Sequence, residues 1–134
     1  MAWLYSVPQH WIEGPTADPY QSFQEGVYSG AFGPDQDDPL SIRKVDQGPI
    51  PPGNWIMASL ILQHPEMGEY VIHLEPDAET RAAIVAMGRD PDSFDIHGDD
   101  IADPGHGSRG CICAPLAARQ AMWQSTDHAL EVRV

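Results

Sequence analysis

Cysteine is scarce in this 134-residue chain: there are two, Cys111 and Cys113, with a single residue between them. Such a pair cannot staple a small extracellular scaffold, so a fold organised by disulfides is excluded. Basic residues are also few, seven Lys and Arg against twenty Asp and Glu, for a net charge of −13. A surface of that sign repels nucleic acid and anionic lipid, and neither is expected as a partner. No apolar run approaches the roughly 20 residues needed to span a bilayer. The opening residues MAWLYSVP have neither the basic region nor the apolar core of a secretory signal. The expectation is a protein made in the cytoplasm that reaches any outside target without a cleaved signal.

Hydrophobic residues make up 42%, enough for a globular core, and the length suits one domain over 1–134, its first 25 residues the least patterned. Residues 3–7 read as a strand, 8–25 as irregular, and Gly26–Ser29 as a short strand closed by Gly30. The acidic stretch AFGPDQDDP, 31–39, reads as a solvated loop without calcium-ligand spacing. Leu40–Val45 alternates as a strand. Pro49, Pro51 and Pro52 lack amide donors, so Asp46–Gly53 is a turn that joins strands or stiffens a rim beside a site. Trp55–Leu62 and Glu69–Leu74 form a hairpin, with His64 exposed in its loop.

Pro76–Met87 is predicted as a helix capped by Asp77 and ended by Gly88, its apolar side formed by Ala82, Ala83, Ile84, Val85 and Met87. Pro115 starts a second helix, Leu116–Trp123, that packs through Leu116, Ala117, Gln120 and Trp123 and turns Arg119 to solvent. Ala129–Val134 closes the sheet as a last strand. Six to eight short strands and two helices without regular alternation give a mainly β, β-rich α+β class: a compact, mostly antiparallel sandwich or barrel with two edge helices.

The chemistry concentrates in Phe94–Pro115, FDIHGDDIADPGHGSRGCICAP. A short strand delivers His97, and a polar loop follows. The turn Ser108-Arg109-Gly110 then presents Cys111, fourteen residues after the histidine. A thiol with its ordinary pKa of about 8.5 needs a base or positive charge to become a nucleophile. Gly110 allows a sharp bend with unshielded amides, and Ser108 can hold the turn through a side-chain bond to the backbone. Adjacent strands could bring His97 to Cys111, which points to a cysteine enzyme acting on an acyl group. Cys113 is expected to turn to the opposite face as buried packing.

The pattern IHG, loop, S-x-G-C resembles the L,D-transpeptidases, and more closely the small L,D-transpeptidase-like effectors of type VI secretion systems. Tyr28-Ser29-Gly30, Gly48-Pro49-Ile50-Pro51-Pro52-Gly53 and Leu74-Glu75-Pro76 extend the likeness from Tyr28 to the C-terminus. The resemblance implies a compact β-rich fold with Cys111 as nucleophile and His97 as base. It places the Gly98 carbonyl behind the ring and an oxyanion site at the amides of Gly110 and Cys111. It implies a peptidoglycan stem peptide as substrate, cut between its third and fourth residues by L,D-carboxypeptidase or transpeptidase (D-amino acid exchange) chemistry. Arg109 stands where the wider family has His, so it is expected to supply positive charge or to bind a substrate carboxylate. Tyr28 is a second expected substrate contact. No cofactor or metal is implied. An antibacterial toxin with secretion machinery and an immunity protein as partners, acting in the periplasm of a target cell, is the setting implied.

Two other readings fit parts of the sequence. His97, Asp99, Asp100, His106 and Cys111 could form a metallohydrolase site, although their spacing matches no metal-binding pattern. Alternatively, the domain binds cell wall without catalysis.

Overall fold

Large apolar residues at every second position commit the strands to one buried face, and this decides where the reactive side chains go. The computed structural model describes residues 2–17 and 20–134. Its strands are β1 (Trp3–Ser6), β2 (Trp11–Ala17), β3 (Tyr20–Phe23), β4 (Tyr28–Ser29), β5 (Gly53–His64), β6 (Gly68–Pro76), β7 (Asp95–His97), β8 (Ile112–Cys113) and β9 (Ala129–Arg133). They form one mixed sheet in the order β3-β2-β1-β9-β5-β6-β7-β8-β4. The helices are α1 (Ala78–Ala86) and α2 (Leu116–Gln124), with a 3-10 turn at Pro39–Ser41. The expected mainly β class with two helices is therefore observed. Only the β1–β9 and β7–β8 pairings are parallel among the described residues.

Cross-strand pairs build the core. Trp3 and Tyr5 lie beside Leu130 and Val132, and Trp55 lies on the other side of Leu130. Ile72, Ile96 and Ile112 form a ladder across β6, β7 and β8, and all three are fully buried. Each such side chain contributes about 1.5–3 kcal/mol by leaving water, which fixes the register of two very short strands. The residues alternating with this ladder, Asp95 and His97 on β7 and Cys113 on β8, take the other face.

Several sequence expectations are corrected. Residues 8–25 are not irregular, since they contain β2 and β3. Gly14 and Pro15 hid β2, and they fall where its register with β3 shifts, an irregularity that accommodates Pro. Leu40–Val45 is not a strand: the Asp38 carboxylate accepts the Leu40 amide and Pro39 starts a 3-10 turn, leaving Leu40 and Val45 exposed. The acids of 31–39 are turn builders more than solvated surface. Asp35 holds Ser41 and Lys44, and Asp37 accepts the Ser29 amide. β9 does not end the sheet but lies inside it, between β1 and β5.

The helices are where the sequence places them, but their buried faces differ. Asp77 caps α1 by accepting the Thr80 amide, and Gly88 follows at φ +78°, yet only Thr80 and Ile84 are buried and Val85 is exposed. In α2 the buried face is Ala118, Arg119 and Met122. Arg119 is thus not at the solvent; its guanidinium bonds the carbonyls of Ala114, Glu69 and Tyr70. His64 ends β5 half-buried, and its Nδ1 accepts the amides of Glu66 and Met67.

One core group lacks a partner. Tyr5 is fully enclosed, and its hydroxyl is the one buried side-chain polar atom without a hydrogen bond among the described residues. Burial, and after it the charges of Asp37 and Cys113, raises its pKa well above the ordinary value. An unsatisfied buried hydroxyl costs about 1–3 kcal/mol, so Tyr5→Phe is expected to raise the unfolding free energy by about 1 kcal/mol in urea titrations. A loss of stability would show that the hydroxyl has a partner, such as an ordered water.

Candidate active site

The parallel pairing of β7 with β8 sets His97 directly beside Cys113 and Ile96 beside Ile112. Cys111 immediately precedes β8. Positions two apart on a strand share a face, so Cys113 does not turn away from Cys111 as expected from the sequence. It is buried, as expected, but its Sγ lies 3.8 Å from His97 Nδ1. Cys111 is half-buried; its sulfur accepts the Asp95 amide at 3.4 Å and lies 3.6 Å from the Ser93 carbonyl. No hydrogen bond joins Cys111 to His97 among the described residues.

The turn that presents Cys111 is held from several directions. The Ser108 hydroxyl donates to the Cys111 carbonyl at 2.6 Å and accepts the amides of Gly30 and Gly110, each at 3.0 Å. Ser29 donates to the Gly110 carbonyl at 2.9 Å and accepts the Ile50 amide at 2.8 Å. Gly110 sits at φ +147°, and a Cβ there would stand 2.6 Å from Arg89 Nη2, so both conformation and space demand glycine. Its amide is committed to Ser108, which corrects the expectation that it faces an oxyanion.

Arg89 is the residue that the sequence reading missed. Its buried guanidinium donates to the carbonyls of Ile42 and Pro49, each at 2.6 Å, and of Gly48 at 3.0 Å, and it packs over the Phe94 ring. It therefore ties the proline-rich turn to the Cys111 side of the site. Between the two roles weighed for that turn, rim and connector, this favours the rim. Nothing in the sequence signals Arg89, because its partners are main-chain carbonyls, which any residue supplies.

The other candidates divide. His97 is buried, and its Nδ1 lies 2.7 Å from the Gly98 carbonyl, the contact that the resemblance implied. A carbonyl only accepts, so Nδ1 carries the hydrogen and the neutral ring keeps its lone pair on Nε2. Arg109 is exposed and shares a 330 Å³ cavity with Cys111 and Arg89. Tyr28 is not an open substrate contact: it is buried, donates to Asp99 at 2.5 Å and accepts the Gly107 amide at 2.8 Å. It thereby pins the loop between β7 and β8. His106 is exposed on that loop, stacked on Phe32 with ring centroids 3.9 Å apart. Among the described residues no three His, Cys, Asp or Glu side chains converge as metal ligands, so the set His97, Asp99, Asp100, His106 and Cys111 is not assembled.

Burial dominates the titration of the site. It pushes the Cys111 thiol up to about 12, against the lowering effects of the Asp95 amide and the Arg89 charge. It likewise pushes Cys113 up to about 12, although Tyr28 opposes the shift. His97 is lowered, first by burial, with the Gly98 carbonyl acting in the opposite sense. For Asp99, burial raises the carboxyl, but hydrogen bonds from Tyr28 and the amides of Gly105, Asp100 and Gly107 outweigh it and leave the pKa lowered. At neutral pH the site holds two thiols, a neutral imidazole and an ionised Asp99. No protein-family model matches this chain, and no curated protein matches it in sequence.

Lysine retains the charge of Arg89 but not its planar fork. Arg89→Lys is therefore expected to cost about 2–3 kcal/mol of stability in urea titrations, since buried carbonyls lose their charged donor. An unchanged midpoint would show that the clamp contributes nothing.

Proposed function

We propose that this chain is a cysteine acyl-transfer enzyme that cuts peptidoglycan stem peptides between their third and fourth residues. The observation that carries this reading is the placement of Cys111. It is partly exposed at the end of a braced glycine turn, beside a cavity holding two arginines and next to the strand that bears His97. Its identification with wall chemistry rests on the L,D-transpeptidase resemblance.

Cys111 is favoured over Cys113 for two reasons. A substrate carbonyl can approach Cys111, whereas Cys113 is wholly enclosed. Cys113 also lies near the hydrogen-bearing Nδ1, not the basic Nε2. In the proposed cycle the Cys111 thiol leaves the Asp95 amide and turns along the strand toward His97 as substrate binds, the tightening expected of a catalytic contact that is long without substrate. The thiol proton passes to Nε2 and sulfur attacks the amide carbon. The C–N bond breaks, the imidazolium returns its proton to the departing D-alanine amine, and an acyl-thiol remains. The Cys111 amide is the oxyanion donor left by Ser108's hold on Gly110. Arg109 binds a substrate carboxylate. Water releases the acyl group as a carboxylate, or an amine takes it as a new amide.

In a muropeptide assay read by mass spectrometry, Cys111→Ala is expected to lose about a thousandfold or more of turnover, as removal of a nucleophile does. Cys113→Ala retains most of it. Full turnover in Cys111→Ala, or equal losses in both, would overturn the assignment. The proposed setting is the periplasm of a target cell, so the chain carrying an attached export signal should damage cells through Cys111, and the chain kept in the cytoplasm should not.

The pH dependence follows from the neutral pair. His97 must be unprotonated to accept the thiol proton, and its pKa lies below the ordinary 6.5, so kcat/KM should fall only as pH drops below that value. Because the thiol is not a resting thiolate, iodoacetamide should modify Cys111 slowly at pH 7 and faster toward pH 10. Rapid alkylation at pH 6 would indicate a thiolate–imidazolium pair instead.

A further inference from the structure

The proposed cycle leaves one polar pair beside the thiol unused. His73 lies opposite Asp95 across β6 and β7, and its Nδ1 stands 2.7 Å from the Asp95 carboxylate. Ile72 and Leu74, its neighbours on β6, are buried in the core, so His73 takes the outer face. The parallel register that sets His97 beside Cys113 also sets Asp95 beside Cys111, two positions earlier in each segment. The Asp95 amide accordingly meets the Cys111 sulfur at 3.4 Å. His73, Asp95 and Cys111 form one cross-strand row, next to the row of His97 and Cys113. A His–Asp pair across two strands is by itself ordinary sheet packing. What distinguishes this pair is its place in the row and the free nitrogen of its ring. A carboxylate only accepts, so Nδ1 carries the hydrogen and the neutral ring has its lone pair on Nε2. That nitrogen has no hydrogen-bond partner among the described residues, and the side chain is 28% exposed, within reach of water. His97, by contrast, is 5% exposed and lines a different cavity from Cys111.

We propose that His73, oriented by Asp95, is a second catalytic base, which activates the water that releases the acyl group from Cys111. The inference rests on the acyl-thiol reading above and divides its two halves between two histidines. His97 serves acylation, with the thiol turned toward it. When the acylated sulfur returns to its resting place beside Asp95, the thioester meets a water held by His73. Nε2 takes one proton from that water as its oxygen attacks the thioester carbon, and the Asp95 carboxylate stabilises the imidazolium. The tetrahedral adduct collapses, the C–S bond breaks, and the Cys111 sulfur recovers the proton from His73. The products are a carboxylic acid, which ionises to solvent, the free thiol and the neutral ring, so atoms and charge balance.

Intact-mass spectrometry of the protein mixed with a tetrapeptide muropeptide follows both halves, because the acyl group adds its mass to the chain. His73→Gln should slow hydrolysis about a hundredfold, the lower end of what a general base contributes, and let the acyl-enzyme accumulate. Hydroxylamine, which cleaves thioesters without a protein base, should release the acyl group equally fast from the variant and the parent. Asp95→Asn should act in the same direction, and it carries the test if His73→Gln does not fold. Unchanged hydrolysis in the folded variant overturns the second base. So does a fall in acylation as large as the fall in hydrolysis, the mark of a merely structural role. Either result leaves Cys111 as the nucleophile. Absence of Cys111-dependent turnover in the parent protein overturns the second base together with the reading beneath it.

Discussion

The site depends on the parallel pairing of β7 with β8, strands of three and two residues. So short a pairing has little stability of its own and is held by what surrounds it. On one face the isoleucine ladder anchors it to the core. On the other, side chains fix the connecting backbone: Ser108 and Ser29 hold the turn at Gly110, and Tyr28 holds the loop through Asp99 and Gly107. Segments from Tyr28, Gly48 and Arg89 thus converge on one turn, and the chain between them serves to bring them there.

The same enclosure sets the electrostatics. Charges are costly where water is excluded, so burial raises both thiols and lowers the imidazole, and the resting groups are neutral. Among the described residues, the buried permanent charges are arginines whose donors meet carbonyls. Arg89 and Arg119 each receive three such contacts. A guanidinium so held keeps its charge and stiffens main chain that has no side-chain partner of its own. Arg89 does this beside the Cys111 turn, close to Gly110, and Arg119 beside Gly98.

The sequence shows the elements with strong local signatures. The long β5–β6 hairpin and both helices are legible because their periodicity, Asp77 cap, Gly88 stop and Pro115 start act within a few residues. β2 was not legible, since Gly14-Pro15 reads as a turn unless the register shift that absorbs it is known. Leu40–Val45 misled because only Ile42 of its apolar residues is buried, while Leu40 and Val45 are exposed beside a capped turn. In the site, Ser108's hold on the Cys111 turn and the His97–Gly98 contact follow from neighbours in sequence. The clamps of Arg89 and Arg119 and the Tyr28–Asp99 bond span 5 to 71 positions; apart from the link from Arg119 to Ala114 they are long-range, and no pattern in the chain announces them.

The position of Cys113 follows from the same geometry, and it constrains the proposed chemistry. Parallel register puts it next to His97, so any ring orientation must satisfy both a carbonyl at Gly98 and a sulfur at 3.8 Å. A thiol is a weak acceptor and a carbonyl a strong one, so the Nδ1 hydrogen goes to Gly98 and the tautomer is fixed with Nε2 basic. A serine hydroxyl at 113 would be smaller, and a better acceptor able to compete for that hydrogen. Sulfur fills the space beside the imidazole without drawing its proton away. Cys113 then serves as packing, as expected for a buried thiol, but packing on the ring whose protonation the proposed mechanism requires.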